Sequence, residues 1–427
     1  MADKLEHSKV KCRFAHLADC HIGGWREDKL RTLSIQGFAE ATKRIIQEKL
    51  DFLIIAGDLF NTSIPSVDAL KQVALSMKEI KDNNIPVYLV PGSHDFSPSG
   101  KTMLDVLENS GLCKNVFKYN ENTKRLELTH HELPSGETIT LTGICGLAGG
   151  LEKIKYEELA NKEEIENIPG FKIFLFHTLL TELKPSSRDW ESVPSESMSL
   201  LPKNFNYYSG GHPHFIYQKS TPTHPLVTYP GPLFPNNFKE LEELKHGGFY
   251  ILDVLENDDI KLQYIPIEMK KTLSFFIDAE EKTPSEVEED IRRKLSQQPI
   301  DDCIITLRVQ GTLKSGKPSD INFNGLTKEH EQTYMILKNT SKLNTKEFAE
   351  VKIGQGSIDE VEDAIIKEHV NQINLPDLHL NENQELLTNQ LLISLNKEKI
   401  EGEKNIDFET RIIKDMAEIL NIRELFS

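Results

Sequence analysis

The sequence predicts an α/β core followed by a small α+β unit and a helical C-terminal segment. Three observations predict it. Apolar runs of strand length alternate with helical patterns over the first 270 residues. The composition shifts after Ile267, and from Lys328 onward helical patterns dominate.

The runs Cys12–Ala18, Phe52–Ala56, Val87–Val90, Ile139–Cys145 and Phe171–Phe176 have the length of buried strands. Between several of them, apolar residues recur near helical spacing: Leu30, Leu33, Phe38, Ala41 and Ile45, then Leu70, Val73, Met77 and Ile80. Such alternation implies parallel strands joined by right-handed crossovers. After Cys145 the chain turns strand-rich, punctuated by Pro, Gly and His to about Pro235, and a second sheet is expected there. The segment Leu273–Thr312 reads as strand, acidic helix (Ser285–Leu295) and strand (Ile304–Gln310), with Gly311–Lys317 as a hairpin turn. Near the end, Leu387, Leu391 and Leu395 are spaced by four, and Phe408, Ile412, Met416, Ile419 and Leu420 form a second stripe. The polar loop Asn396–Ile406 separates them, and Asp407 can cap the second helix. The expected domains are 1–270, 271–335 and 336–427.

Charge narrows the function. Lys and Arg number 50 against 67 Asp and Glu in 427 residues, a net charge of −17. That excludes a uniformly basic grip on nucleic acid but leaves local basic patches open. Residues 271–427 carry −10 of the total. No run approaches the ~18–20 apolar residues that span a bilayer, so no membrane partner is expected. The start, Met-Ala-Asp-Lys-Leu-Glu, has no apolar signal core. Five cysteines, odd in number and without CxxC spacing, fit an intracellular setting with neither a disulfide framework nor a thiolate zinc site.

The chemistry sits where strands end. Asp19-Cys-His21-Ile-Gly23 follows the first strand, Gly57-Asp58 the second and Gly92-Ser93-His94-Asp95 the third; Phe176-His177 and Gly211-His212-Pro-His214 come later. Ligands of open α/β sheets bind outside the carboxyl ends of the strands, so these loops are expected to share one crevice. A single Asp can bridge two cations through its two oxygens, and mixed oxygen and nitrogen donors suit manganese, iron or zinc. Two such metals hydrolyse phosphate esters by clamping the phosphoryl oxygens. His94, left without a metal, could protonate the leaving oxygen, oriented by Asp95 or another carboxylate.

In this order the motifs resemble those of the calcineurin-like metallophosphoesterases. The stretch Gly57-Asp-Leu-Phe-Asn-Thr-Ser-Ile-Pro65, with Val90-Pro-Gly-Ser-His-Asp95 and Gly211-His-Pro-His214, is similar to one branch: the meiotic-recombination-type double-strand-break repair nucleases, SbcD in bacteria. The resemblance covers about residues 11–240. It implies four α/β/β/α layers with two mixed sheets. It also implies a manganese-dependent exonuclease and endonuclease acting on DNA ends as a homodimer, with an SMC-like coiled-coil ATPase as partner. One metal would then be held by Asp19, His21, Asp58 and His214, the other by Asp58, Ser93, His177 and His212, with His94 as the catalytic imidazole. The C-terminal pair of helices would dock the ATPase through Leu387, Leu391, Leu395, Ile412, Met416 and Ile419, and the Thr272–Asn324 unit would be the capping domain beside the nuclease cleft.

Two positions depart from the pattern. Ser93 stands where the family carries a metal-binding Asn, and its shorter neutral hydroxyl weakens the second site. Asn61 stands where the family often carries a His that contacts the DNA backbone. Asn61, Arg26, Lys101 and Arg188 are the candidate DNA contacts, and Trp25 and Trp190 could stack on a frayed base. His16 reads as a packing residue within the first strand, and His130-His131 as an exposed pair in a polar stretch that binds no metal. Gly100-Lys-Thr102 is not a phosphate-binding loop, because Asp95 occupies the position of its first glycine. The competing expectations are a DNA-end scaffold with weakened catalysis and a phosphoesterase acting on other substrates.

Overall fold

In this computed structural model the described residues are 9–96, 102–185, 190, 193–346, 383–395, 397 and 405–420. They belong to two compact units, Met1–Thr272 and Leu273–Ser427.

Period-two alternation builds the first unit. The strands β1 (Val10–Leu17), β2 (Phe52–Ala56) and β3 (Val87–Val90) run parallel. Phe14, Phe52, Ile54, Tyr88 and Val90 point to one face; Ala15, Leu17, Leu53, Ile55, Val87 and Leu89 point to the other. Both faces are covered, so the strands read as continuous apolar runs. Helices α1 (Asp28–Gln47) and α2 (Val67–Asp82) cover the second face with Phe38, Ala41, Ile45, Val73, Met77 and Ile80. Ser66 caps α2 by accepting the Ala69 N–H.

Chain order continues through α3 (Met103–Asn109) and the short strands β4 (Lys114–Asn115), β5 (Tyr119–Asn120) and β6 (Arg125–Leu126). Then come β7 (Thr129–Glu132), β8 (Thr138–Ile144), β9 (Phe171–His177), β10 (Tyr207–Gly211), β11 (Ile216–Lys219), β12 (Val227–Pro230), β13 (Gly247–Leu255) and β14 (Ile260–Ile267). Apart from β5 and β6, which pair with each other, the strands of this unit form two six-stranded mixed sheets, ordered β14-β13-β1-β2-β3-β4 and β11-β12-β10-β9-β8-β7. Ile139, Leu141, Phe171, Ile173, Leu175 and Tyr207 of the second sheet pack against Phe14, Phe52 and Ile54 of the first. Parallel pairing of β8, β9 and β10 sends the ends of β9 and β10 toward the loops after β1, β2 and β3.

The second unit holds a three-stranded sheet of β15 (Thr272–Asp278), β16 (Ile304–Leu313) and β17 (Met335–Thr345), in that order. Its acidic helix, Pro284–Leu295, starts at a capping box between Thr283 and Glu286 and buries Val287, Ile291 and Leu295. Two expectations are corrected here. Gly311–Lys317 makes no hairpin, because β16 runs on to Leu313 and pairs parallel with β17, which the chain reaches through the helix Phe323–Glu329. The sheet also runs past the expected boundary at residue 335, where helix was expected. β17 is an edge strand that buries only Leu337, Leu343 and Thr345, so its polar residues hide the strand period.

The helices Gln384–Leu395 and Asn405–Ile419 are present, with Lys397 paired to Asp415 at 2.7 Å. Most of the expected loop Asn396–Ile406 and the side chain of Asp407 lie outside the described residues. The expected docking stripes are only partly outward. Leu387 and Ile412 are buried, Leu391, Met416 and Ile419 half-buried, and Leu395 exposed. Leu386, Ile393 and Ile413 join Leu395 on the exposed apolar surface. The first helix carries leucine on all sides, so one face packs while another remains outside. No helix among the described residues is long and apolar enough to cross a membrane. All five cysteines are buried.

Candidate metal centre

Backbone bonds zip the first two loops together. Asp19 N–H donates to the Gly57 carbonyl (3.1 Å), His21 N–H to Asp58 (3.0 Å) and Ile22 N–H to Leu59 (3.1 Å). This geometry forces Asp19, His21 and Asp58 to φ of 49°, 40° and 51°, and His212 to 96°. Left-handed backbone at non-glycine residues is costly and concentrates where function demands it. Gly57, at φ 86°, could not be replaced cheaply, since a Cβ there would lie 2.2 Å from His177 Nδ1.

The side chains converge. Asp58 Oδ1 accepts the His94 N–H (2.8 Å), while Oδ2 lies 3.1 Å from His177 Nε2 and 3.5 Å from His21 Nε2. Asp19 accepts the His212 N–H at 3.0 Å and lies 3.9 Å from His214 Nε2. Three sets of candidate ligand atoms result: Asp19, His21 and His214; Asp19, Asp58 and His177; His21, Asp58 and His94. His212 lies against His177 with ring centroids 5.3 Å apart, outside these sets. Ser93, His94, His177 and His212 line a cavity of about 500 Å³ that Leu147, Leu179, Val193 and Pro194 also wall.

Two imidazoles are aimed from behind. His177 Nδ1–H donates to the Ala56 carbonyl (2.8 Å) and His214 Nδ1–H to Glu240 Oε1 (2.8 Å), which turns both Nε2 atoms inward. His177 Nε2 is buried against Asp58 Oδ2, and His214 Nε2 faces His21 Nε2 at 3.0 Å. A proton or a cation has to sit between such facing lone pairs. Burial opposes charge on His177, yet Asp58 raises its pKa to about 10. Burial likewise opposes charge on His214, and Glu240 and Asp19 hold it up at about 9. Burial, with His214 adjacent, lowers His21 to about 3. Asp19 is pushed up to about 6 by burial. Asp58 is held below the usual carboxylate range, because His177, His21 and the His94 N–H outweigh its burial. The site thus attracts positive charge and offers buried oxygen and nitrogen donors, which fits divalent cations.

Asp95 does not orient His94. Its carboxylate is buried and accepts N–H groups from Gly92 (2.9 Å), Phe60 (3.2 Å) and Leu59 (3.3 Å), pinning two loops together. His94 Nδ1–H instead donates to the Asn61 carbonyl at 2.8 Å. Arg26 is exposed beside α1, whereas Lys101 and Arg188 lie outside the described residues. Trp25 is buried with its indole N–H on the Pro235 carbonyl (2.8 Å), so it is no stacking platform. Trp190 meets Phe215 edge to face at 5.1 Å. His16 is packed against Tyr207, and His131 bonds the Tyr88 hydroxyl (3.1 Å) away from the cluster. Sequence reasoning missed Glu240 and Asn236. The only local signal was Asn-Asn before an acidic first turn, which reads as a helix cap.

A family model described as calcineurin-like phosphoesterase matches residues 12–215. The chain is 30% identical over 273 residues to the "DNA double-strand break repair protein Mre11" of Methanocaldococcus jannaschii, covering 60% of this chain and 67% of that one. It is 27% identical over 286 residues to the protein of that name in Methanococcus maripaludis, covering 64% and 71%. With the one in Methanopyrus kandleri it shares 23% over 295 residues, covering 66% and 62%. The chain therefore spans about two thirds of the length of the relatives it matches.

Proposed function

The chain belongs to the Mre11 family of calcineurin-like metallophosphoesterases, and from that premise we propose that it is a metal-dependent nuclease that processes DNA ends in double-strand-break repair. The observation that carries the reading is the convergence of Asp19, His21, Asp58, His177 and His214, with two imidazoles aimed inward from behind.

In this reading Asp19, His21, Asp58 and His214 would hold one cation, and Asp58, Ser93, His177 and His212 the other. Manganese suits the mixed donor set. Two such cations supply Lewis-acid charge against the phosphoryl oxygens and a nucleophile near neutral pH. The protein's own contribution is placement. Asp58 spends one oxygen on the His94 N–H and keeps the other between His177 and His21. His94, exposed at the rim, keeps Nδ1–H on the Asn61 carbonyl, so Nε2 is the nitrogen that delivers a proton to the leaving oxygen. The apolar wall of Leu147, Leu179, Val193 and Pro194 limits water on one side of the cavity.

The partner reading follows. A homodimer would present two such sites to DNA ends. The exposed apolar side chains Leu386, Ile393, Leu395 and Ile413 give the C-terminal helices a face for the coiled coil of an SMC-like ATPase.

The test is cleavage of linear double-stranded DNA with added Mn2+. The expected result is cleavage that a chelator abolishes. DNA binding without cleavage at any Mn2+ concentration would favour an end-binding scaffold. Turnover of a phosphomonoester with DNA untouched would favour a different substrate.

A further inference from the structure

We propose that Asn61, Asn236 and Glu240 form a hydrogen-bonded positioning arc that ties His214 to His94, so that the ligand end and the proton-donating end of the site are set together. The inference rests on the nuclease reading for the role of His94, and its geometry stands independently.

The arc is continuous. His214 Nδ1–H donates to Glu240 Oε1 at 2.8 Å. Glu240 Oε2 accepts the Asn236 backbone N–H at 2.7 Å. The Asn236 side-chain amide donates to Asn61 Oδ1 at 3.3 Å. The Asn61 backbone carbonyl accepts His94 Nδ1–H at 2.8 Å.

Glu240 is itself held. It lies in the first turn of the helix Phe238–Leu244, its N–H donates to Asn237 Oδ1 (3.0 Å), and the Asn237 amide donates back to Oε1. Its side chain is 13% exposed. A carboxylate on the far nitrogen of an imidazole fixes the tautomer and the ring plane.

A second observation points the same way. A Cβ at Gly24 would lie 2.2 Å from Asn236 Oδ1 and 2.9 Å from Asn61 Oδ1. The amide pair thus packs directly against the Gly24 backbone, and a side chain at Gly24 would have to displace it. Asn61 is thereby given a role inside the protein besides the expected DNA contact. Its amide oxygen is engaged within the protein, and its carbonyl orients His94. Asn61 acts on substrate through His94, as a positioning residue.

The two ends have different readouts. Removing the Glu240 carboxylate in Glu240→Leu should raise the Mn2+ dissociation constant about tenfold by calorimetry, and Glu240→Gln, which keeps an acceptor, should raise it less. Asn236→Asp places an acceptor opposite Asn61 Oδ1, and Asn61→Leu removes that oxygen. Each should lower kcat on DNA about tenfold with KM within about twofold, because a small misplacement of the proton donor acts on the chemical step. Asn61→Asp, which still accepts from Asn236, should retain kcat. The Asn61→Leu/Asn236→Asp double variant should be no worse than either single variant. The His94 imidazole 15N shifts should move in Asn236→Asp, a readout that needs no turnover, with circular dichroism confirming the fold of each variant. Parent Mn2+ affinity in Glu240→Leu, unchanged His94 shifts in Asn236→Asp, or an Asn61→Leu defect confined to KM would each overturn the arc. If the parent binds Mn2+ but does not cut DNA, the nuclease reading fails, and the calorimetric and NMR arms still decide the arc.

Discussion

Replacing Gly211 by alanine tests whether the metal centre depends on close contact between the two sheets. Gly211 ends β10. A Cβ there would lie 2.0 Å from the Ala56 carbonyl oxygen, 2.8 Å from His177 Nδ1 and 3.1 Å from Ala18 Cβ. Ordinary contact needs more than a further ångström, so either the sheets part or the Ala56 carbonyl turns away. That carbonyl is the acceptor for His177 Nδ1–H. Overpacking a well-filled interior costs about 1–3 kcal/mol, and stranding a buried donor about 1–3 kcal/mol more. The loss should therefore be roughly 2–6 kcal/mol, a large part of a domain's stability. With the ring no longer held, Mn2+ affinity should fall about 10–100-fold. Urea unfolding of the metal-free protein and calorimetric Mn2+ titration measure the two effects. The control is Gly136→Ala, at φ 88° with nothing within 4 Å, which should cost only about 1–2 kcal/mol of backbone strain. If Gly211→Ala is no less stable than Gly136→Ala and binds Mn2+ as the parent does, the packing argument is wrong.

Three further outcomes are expected. His94→Ala should lower DNA cleavage by about 10²–10⁴-fold with Mn2+ stoichiometry unchanged; lost metal would instead make His94 a ligand. Ser93→Asn should tighten the weaker Mn2+ site, because an amide oxygen reaches further than the hydroxyl, and equal affinities in titration would contradict this. Burial lowers the His16 pKa from 6.5 to about 3, so the native state keeps this ring neutral while the unfolded chain protonates it. The associated stability is complete above pH 6.5 and is lost as pH falls toward 3. His16→Gln should flatten that limb by up to about 1.4 kcal/mol per pH unit, and parallel urea-midpoint slopes between pH 6.5 and 4.5 would refute it.

The sheet strands were legible because both of their faces are buried. Phe52–Ala56 and Val87–Val90 contain only apolar residues, and their ends carry the motif loops. β17 was not legible, since an edge strand with three inward side chains carries almost no period. The metal centre was legible for a different reason. Carboxylates and imidazoles supply most of the candidate ligands, and few other side chains do that chemistry, so their identity at strand ends carries the information. Its supports were hidden because they are generic. The Ala56 and Asn61 carbonyls orient His177 and His94, and any residue supplies a carbonyl. Asp95 looked like the orienting acid from adjacency alone, yet its oxygens face backbone N–H groups of its own loop, at Gly92, and of the loop after β2, at Leu59 and Phe60. Glu240 lies 26 residues from His214, where no local pattern could join them.

The charge of −17 takes on a specific meaning beside this geometry. Asp19, Asp58 and Asp95 are buried within one small volume, and their mutual repulsion has to be offset there. Two imidazoles, His177 and His214, have raised pKa values of about 10 and 9, so without metal protons occupy the inner faces of the site. In the proposed reading, divalent cations held by these residues would replace those protons with a larger charge, so binding them would release protons. A phosphodiester gains nothing by approaching the bare carboxylates, but it gains from cations they hold. An acidic chain can thus act on a polyanion without a basic surface, provided the positive charge is concentrated where the bond is cut. The remaining acidity lies mostly beyond residue 270, where −10 of the −17 resides. The exposed apolar side chains of the terminal helices lie in that same acidic part of the sequence, and in the proposed reading they are the surface a protein partner would cover.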